Sequence, residues 1–310
     1  MAPSISLAYR MRLLHKPLSG QRKMYLAAVV LLLLILAAWW AWEWWPRPPL
    51  PAGTVAAGTV KPRQTIRTGF LPNWDQVALQ EMERQAAKYP HNLWLEGPTY
   101  RRQVAFTFDD GPSEYTGALL DVLKKHGVKA TFFFMGQNME LRPWAVERAW
   151  REGHTLGNHT YTHPHLAGVD STTFWDDEIG KTQATFKRML GWEPAMMRPP
   201  YGEISDAQIE DLGRHGIKVI LWSLDTQDWN KNRMLFGKHN IERSVQDHMH
   251  EEAILLMHDG GGKRAKTVAA VDALIPWLKA GGYEFVTVDA LLGLPAQPRA
   301  PQAKAASAPQ

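Results

Sequence analysis

Hydrophobic and polar positions divide the chain into an apolar N-terminal run, a long alternating region and two polar flanks. Residues 24–42 contain no charged side chain over 19 positions. At about 1.5 Å per residue, this run is long enough to cross a membrane as one helix. Beyond residue 70, short apolar runs alternate with amphipathic stretches. Strands separated by helix-length crossovers imply a parallel sheet, so the pattern predicts an α/β fold.

The alternating region predicts seven strands, each separated from the next by a helix. The predicted strands are 104–108, 130–134, 155–158, 196–198, 219–224, 253–257 and 285–288. The predicted helices are 74–88, 116–126, 143–151, 172–190, 206–215, 241–251 and 267–280. Seven parallel strands fit a closed barrel or an open doubly wound sheet. Unusual polar residues follow the ends of several different strands, which favours the β/α barrel.

The N-terminal apolar run predicts a transmembrane segment with a defined orientation. Residues 1–23 form a basic tail with five Lys and Arg and no acidic residue, and tryptophans crowd the far end of the run. By the positive-inside rule, the tail stays in the cytoplasm and the chain after Glu43 lies outside it. A cleaved signal peptide is the alternative, but its apolar region usually has about 7–15 residues before a small-residue cleavage site. We therefore expect a signal-anchor helix at 24–45, single-pass in the cytoplasmic (inner) membrane.

Composition assigns the remaining segments and excludes several functions. Pro and Gly at 46–69 indicate a stem. We expect residues 70–102 to form an extension that packs on the barrel and residues 103–294 to form the main domain. The low-complexity segment 295–310 is predicted to be a disordered tail. The chain carries +4 overall, but residues 70–294 hold 24 basic against 30 acidic residues. This balance argues against nucleic-acid binding. The absence of cysteine excludes disulfides, thiolate metal sites and a cysteine nucleophile.

Two of the polar strand ends carry groups suited to a metal. Asp109 and Asp110 end the first barrel strand and need the following turn to point toward one site. His159 and His163, four residues apart, converge on one face if their loop makes a helical turn. A merely His-rich stretch is the alternative. With one carboxylate from Asp109 or Asp110, these imidazoles form a two-histidine, one-carboxylate set.

Three further strand ends add polar and aromatic groups. Arg198-Pro-Pro-Tyr201 is a rigid turn that can hold a guanidinium against a carboxylate. The loop from Asp225 through Asp228 to Trp229 offers acids and an aromatic wall, and Leu256-Met-His258 places an imidazole after an apolar strand. Each has an ordinary structural explanation. Five such strand ends in one domain indicate an active site.

The order and spacing of these five motifs resemble the carbohydrate esterase family 4 polysaccharide deacetylases, also called the NodB homology domain. The resemblance covers roughly residues 103–294, and the matching motifs are 107–111, 159–163, 198–201, 225–229 and 256–258. It implies a distorted (β/α)7 barrel. It also implies a divalent metal held by Asp110, His159 and His163, most commonly Zn²⁺, with Co²⁺ and Mn²⁺ as alternatives.

The same resemblance implies catalytic roles. Asp109 becomes the general base, oriented by Arg198, and His258 the general acid. Asp228 pairs with His258, although Asp225 lies in the same motif and is the alternative. The backbone N–H of Tyr201 helps to hold the oxyanion. The residues implied or suited to contact the substrate are Leu256 (acetyl methyl), Trp229, Tyr201 and Pro200.

The function that these expectations describe is a membrane-anchored, metal-dependent N-deacetylase. Its substrate would be an extracytoplasmic GlcNAc-containing glycan such as peptidoglycan, its product acetate, and its catalytic domain would be periplasmic or extracellular. The sequence identifies no protein partner. The alternatives are a deacetylase or deformylase of a lipid-linked sugar, a glycan-binding pseudoenzyme, and an Fe(II) oxygenase that uses the same ligand set.

Overall fold

The computed structural model describes residues 20–44, 65–66, 79–230 and 238–300. The chain divides into two compact units, Met1–Pro48 and Pro49–Gln310. The predicted basic tail up to residue 19, nearly all of the stem, and the first five residues of the predicted helix 74–88 lie outside the described residues.

The first unit contains helix α1, Gly20–Trp44. Its window Met24–Ala41 has a mean hydropathy of 2.4, and none of this window is buried. A helix that is apolar on every side suits a lipid environment better than one face of a soluble core. Among the described residues, α1 is the one helix long and apolar enough to cross a membrane.

The second unit is a parallel sheet surrounded by helices. Its helices are α2 (Leu79–Lys88), α3 (Thr116–His126), α4 (Gly136–Leu141), α5 (Pro143–Arg151), α6 (Gly180–Leu190), α7 (Asp206–Arg214), α8 (Lys238–His248), α9 (Ala265–Ala280) and α10 (Val288–Leu292). Its strands are β1 (Leu93–Trp94), β2 (Gln103–Asp109), β3 (Thr131–Phe134), β4 (Thr155–Asn158), β5 (Met196–Met197), β6 (Lys218–Ile220), β7 (Leu224–Asp225), β8 (Ala253–His258) and β9 (Glu284–Phe285). The strand order is β1-β6-β5-β4-β3-β2-β8-β7, and β9 pairs with β2.

Strand β1, which the sequence did not predict, completes the curl of the sheet. Leu93 and Trp94 pair in parallel with β6, and Glu96, two residues later, bridges Ala253 at the start of β8. The N–H of Gly97 donates to the carbonyl of Glu252 over 2.9 Å. The segment 93–97 therefore links β6 to β8 and makes the curled sheet a distorted barrel, as predicted.

Side-chain alternation along β2 separates two apolar clusters and aims the strand at the site. Val104, Phe106 and Phe108 pack in the cluster that includes residues of helices α3 and α9, whereas Ala105 belongs to the second cluster with Phe133 and Trp222. Because successive strand residues face opposite sides, Asp109 points to the same side as Ala105. The strand thus delivers its terminal carboxylate into the barrel.

Arg198 explains why the predicted strand 219–224 is divided into β6 and β7. Its Nε donates to the carbonyl of Ile220 over 3.0 Å, and its Nη2 donates to the carbonyl of Leu221 over 2.7 Å. Both carbonyls lie within the predicted strand 219–224, and they accept hydrogen bonds from the guanidinium at the point where the strand is interrupted. The chain leaves the ladder at Leu221 and rejoins the sheet beside β8.

Other boundaries also differ from the predictions. The predicted helix 172–190 begins with a π-helical segment, Thr173–Ile179, before α6. The predicted strand 285–288 is wrong after Phe285, because α10 begins at Val288, whose N–H donates to the Thr131 hydroxyl. Helix α4 was not predicted. Of the predicted tail 295–310, residues 295–300 are described, and the Gln297 amide bonds the backbone of residues 154 and 156.

Candidate active site

Five of the predicted polar residues line one cavity at the C-terminal ends of the strands: Asp109, Asp110, His159, His163 and His258. The cavity has a volume of about 180 Å³. Its lining residues are Asp109, Asp110, His159, His163, Pro199, Tyr201, Trp222, Trp229, Leu256, His258, Gly261 and Arg264. These residues lie at or near the ends of several strands, including β2, β4, β5, β7 and β8. The arrangement is the one that a barrel, rather than a switch point in an open sheet, produces.

Arg198 and Asp109 form a fully buried ion pair behind the cavity. The Arg198 Nη1 donates to Asp109 Oδ1 over 2.9 Å and to the Thr107 hydroxyl over 2.6 Å. The guanidinium also lies 4.3 Å from the centroid of the Phe133 ring. Such a pair fixes its carboxylate firmly, because neither charge can be left alone in a dry interior. Asp109 Oδ1 is thereby engaged, while Asp109 itself lines the cavity.

Asp110 turns toward the same cavity because its backbone is left-handed, with φ of 68°. Its Oδ1 lies 3.3 Å from Nε2 of His159 and 3.3 Å from Nε2 of His163. Burial would raise the pKa of Asp110, but the neighbouring imidazoles hold it well below its usual range. The turn that the sequence required for the two adjacent carboxylates is therefore present.

The two imidazoles present their Nε2 atoms to this carboxylate. His159 Nδ1 lies 2.7 Å from the carbonyl of Arg198, which fixes the ring and leaves Nε2 toward the cavity. Burial lowers the pKa of His163 to about 4, so this imidazole is neutral. Burial also opposes charge on His159, but Asp109 and Asp110 outweigh it and raise the pKa of His159. The carboxylates thus favour a positive charge at this point.

These three side chains fit a divalent metal. One ligand atom from each of Asp110, His159 and His163 lies within 4.8 Å of the others. Asp110 Oδ1 is buried and has no hydrogen-bond partner, which is costly for a carboxylate oxygen unless a cation meets it. One carboxylate and two imidazoles suit Zn²⁺ and leave further coordination positions for other ligands. Among the described residues, this is the one group of three or more His and acidic side chains with that spacing.

His258 forms a second charged pair on the cavity wall. Its Nδ1 lies 2.7 Å from Asp228 Oδ1, and its backbone N–H donates to Asp228 Oδ2 over 2.9 Å. Burial lowers the pKa of His258, but the Asp228 carboxylate outweighs this effect and raises it to about 9. Of the two acids left open by the sequence, Asp228 is the partner of His258. Asp225 instead accepts hydrogen bonds from the N–H of Gln227 and the indole of Trp229.

The structure places the predicted substrate contacts unequally. Tyr201, Trp229 and Leu256 line the cavity. Pro200 is buried and does not line it, whereas the preceding Pro199 does. The shift by one residue arises because Pro200 begins a short 3-10 turn and Tyr201 then takes a left-handed backbone, with φ of 59°.

Sequence reasoning missed four lining residues: Pro199, Trp222, Gly261 and Arg264. Trp222 lies in the break between β6 and β7, which was predicted as continuous strand. Gly261 and Arg264 belong to the run Gly260-Gly-Gly-Lys-Arg264 after the last motif. Three consecutive glycines signal close backbone approach, and this signal was available.

Comparison with known proteins agrees with this geometry. The family model described as "Polysaccharide deacetylase" matches residues 96–220. A peptidoglycan-N-acetylglucosamine deacetylase of Bacillus cereus is 40% identical over 199 residues, which cover 64% of this chain and 70% of the relative. The peptidoglycan-N-acetylglucosamine deacetylase PgdA of Listeria monocytogenes is 40% identical over 194 residues, covering 62% of this chain but only 39% of the relative.

A solved structure shows the same fold. It is the crystal structure of a peptidoglycan N-acetylglucosamine deacetylase in complex with 4-naphthalen-1-yl-N-oxidanyl-benzamide. It superposes with a TM-score of 0.65 at 37% identity and covers 69% of this chain and 98% of that chain. The barrel inferred from the sequence is thereby confirmed.

Proposed function

The chain belongs to the polysaccharide deacetylase family, and from that premise we propose that it is a metal-dependent N-deacetylase of a GlcNAc-containing glycan outside the cytoplasm. Peptidoglycan is the substrate class that the named relatives favour. The observation that carries the proposal is the shared cavity: the Asp110, His159 and His163 cluster faces the same space as Asp109 and His258.

The residues supply complementary proton transfers. A divalent metal, when bound by Asp110, His159 and His163, would act as a Lewis acid toward water and the amide carbonyl. Asp109, held by Arg198, accepts a proton as a water oxygen forms a bond to the acetyl carbon. His258 gives a proton to the nitrogen as the carbon–nitrogen bond breaks. The products are acetate and a free amine on the sugar.

The remaining cavity walls suit an acetamido group on a sugar. Leu256 lines the cavity as an apolar contact for the acetyl methyl group, and Trp229 and Tyr201 offer aromatic faces to the sugar ring. The backbone N–H of Tyr201 is the proposed donor to the oxyanion. Zn²⁺ is the proposed native metal, since two imidazoles and one carboxylate form a common zinc ligand set.

The proposed location is the outer side of the cytoplasmic membrane. Helix α1 has the length and composition of a membrane span, and the basic residues that precede it favour a cytoplasmic N-terminus. We propose that residues 46–69 form the stem and that residues 70–300 act beyond it. The anchor would hold the enzyme near nascent cell-wall glycan.

The deciding experiment measures acetate release by the full-length protein in detergent, supplied with Zn²⁺. The substrates are peptidoglycan, poly-N-acetylglucosamine, chitin oligomers and a lipid-linked N-acetylated sugar. Asp109→Asn removes the base at equal size, and Asp272→Asn, an exposed carboxylate on α9 paired with Lys125, is the matched control. We expect acetate from peptidoglycan with wild type and Asp272→Asn only. No acetate above the Asp109→Asn level on any substrate would refute the proposal.

A lipid-linked sugar is the second candidate substrate, because a membrane span would place the cavity near such lipids. The same panel decides between them. Faster turnover of the lipid-linked sugar, or formate release from its N-formyl analogue, favours this candidate over a polymeric glycan.

A further inference from the structure

Asp228 is held by more groups than its pairing with His258 requires. Its side chain is buried, with Oδ1 2.7 Å from His258 Nδ1. Its other oxygen, Oδ2, accepts from the His258 N–H and also from the Thr267 hydroxyl, each over 2.9 Å. Both carboxylate oxygens are therefore engaged, and the carboxylate has one orientation that satisfies all three donors.

Arg264 holds the backbone on both sides of the same pair. Its Nη1 donates to the carbonyl of Asp228 over 3.0 Å, and its Nε donates to the carbonyl of Gly260 over 2.6 Å. Asp228 follows β7, and Gly260 follows β8 beyond His258. One guanidinium thus joins the loop that carries Asp228 to the loop that directly follows His258.

Thr267 and Arg264 share one location. Arg264 immediately precedes α9, and Thr267 lies in its first turn. Both side chains are buried, and neither belongs to the five motifs. A 16-residue helix packed on the barrel is a rigid support for such contacts.

We propose that the start of α9 positions the general acid: Thr267 and Arg264 orient Asp228 so that His258 holds its proton on Nε2, facing the cavity. The inference rests on the proposed function. If Asp228 rotated, it would lose its hydrogen bond with His258 Nδ1, and the imidazole would then be free to turn. The step affected is the transfer of the His258 proton to the departing nitrogen as the carbon–nitrogen bond breaks. Asp109 and the water proton are not involved.

The test compares two buried threonines that each donate to a buried aspartate. Thr267→Val removes the hydroxyl that bonds Asp228. Thr155→Val removes a hydroxyl that bonds Asp289 over 2.7 Å at the N-terminal end of β4, away from the cavity. Thr267→Ser keeps the donor. We expect kcat to fall about tenfold in Thr267→Val with KM unchanged, since orientation is part of what a general acid contributes. Thr155→Val and Thr267→Ser should keep the wild-type kcat.

Stability measurements separate positioning from folding. Thr155→Val and Thr267→Val each lose one buried hydrogen bond, so their melting temperatures should fall by similar amounts. Equal kcat in these two variants, or a Thr267→Ser variant as slow as Thr267→Val, would overturn the proposal.

Arg264→Lys tests the second contact. Lysine keeps the charge but cannot reach both carbonyls with a planar fork. We expect the Thr267→Val pattern, a lower kcat at unchanged KM. A raised KM with normal kcat would show that Arg264 binds substrate instead, and would remove it from the positioning role.

A spectroscopic measurement keeps this inference separate from the proposed function. The Nδ1–H proton of His258 reports its bond to Asp228 by NMR. Its resonance should move in Thr267→Val and stay unchanged in Thr155→Val. If wild type releases no acetate, the proposed function fails, and the resonance alone decides whether α9 orients the pair. An unmoved resonance in Thr267→Val refutes it.

Discussion

Several residues at the site have left-handed backbones although they are not glycine. Asp110, His163, Tyr201 and Gln227 have φ between 57° and 68°. Such a conformation costs on the order of 1–3 kcal/mol per residue and persists only where the surroundings fix it. Around His163 that support is visible, because Glu178 accepts from the backbone of the preceding residues. The surrounding contacts thus hold these residues in costly backbone conformations that direct Asp110 and His163 toward each other.

Gly261 provides a prediction about the metal. A Cβ at this position would collide with Asp110 Oδ2, and the backbone φ is +68°. Gly261→Ala should therefore displace Asp110 and lower zinc occupancy. Gly191→Ala is the matched control, because Gly191 also has a positive φ, of +82°, but nothing within 4 Å of the added carbon. Zinc content after dialysis, measured by atomic emission, should drop in Gly261→Ala alone. Equal zinc content in the two variants would contradict this account.

Asp228 provides a prediction about pH. The folded pKa of His258, about 9, lies above its ordinary 6.5, so the imidazolium is present below pH 9 and is lost as pH rises through that value. Asp228→Asn removes the charge that raises this pKa, and burial then lowers it. The alkaline limb of kcat should move down by more than one pH unit, with kcat at pH 7 reduced at least tenfold. A pH–rate profile from pH 5.5 to 10 measures both; an unmoved alkaline limb would exclude His258 as the acid.

The choice between Asp225 and Asp228 shows what the sequence could not determine at this scale. Asp225 ends β7, and Asp228 follows three residues later. Their directions depend on the turn between them, where Gln227 is left-handed and its N–H bonds Asp225. Residue types indicate the chemistry of the site, but the backbone conformation of this turn, which local sequence does not reveal, accompanies the choice of Asp228 as the partner of His258.

At the scale of elements, Arg198 ties β5 to β2 and to the β6–β7 break. Arg198→Met keeps much of the volume but removes the guanidinium partner of Asp109 and the donor that the Ile220 and Leu221 carbonyls share. We expect a loss of about 3–5 kcal/mol in the free energy of unfolding, the usual cost of removing one partner of a buried pair. Denaturant unfolding measures it. Arg214→Met, which removes an exposed arginine paired with Asp211, should cost far less.

A second variant identifies the cause of that loss. Adding Asp109→Asn to Arg198→Met removes the unpaired carboxylate, so part of the stability should return. The contrary result would be simple additivity, in which Asp109→Asn lowers the free energy of unfolding by the same amount in wild type and in Arg198→Met. The two residues would then not be coupled, and the ion pair would not be what stabilises this part of the barrel.

Element prediction succeeded where periodicity was long and local. Helix 116–126 was predicted to the residue, because an amphipathic stretch is visible without knowing its partners. Strand 155–158 was also predicted to the residue. Strand β1 has two residues, and its partner strand β6 lies more than 120 positions away, so no local pattern exists to find it. The division of 219–224 likewise depends on Arg198, a residue outside the segment.

At the scale of the whole molecule, charge and hydropathy separate the two units. The basic excess lies in residues 1–42, while residues 70–294 carry more acidic than basic side chains. The basic residues near the N-terminus therefore bear on the orientation of the helix in the membrane and not on the charge of the substrate.

The anchor proposal predicts how the protein partitions. An uncleaved α1 should keep the full-length protein in the membrane pellet after alkaline carbonate washing, with residues 1–45 present by mass spectrometry. Replacing Leu32 and Leu33 with lysine should release it or prevent insertion, because two charges at mid-helix cost several kcal/mol. A mature protein that begins after residue 45 and washes off freely would show that the segment is a cleaved signal.

Closure of the barrel by β1 also has a consequence for the order of folding. Leu93 and Trp94 are synthesised long before Val219, Ile220 and Ala253, the residues that their segment joins. Ribosomes deliver about 5–20 residues per second, so this apolar segment waits several seconds without its neighbours. Non-local pairing of this kind slows folding and exposes strand edges meanwhile. The earliest strand of the domain thus waits longest for its first pairing partner, and its apolar side chains are open to chaperones and proteases during that interval.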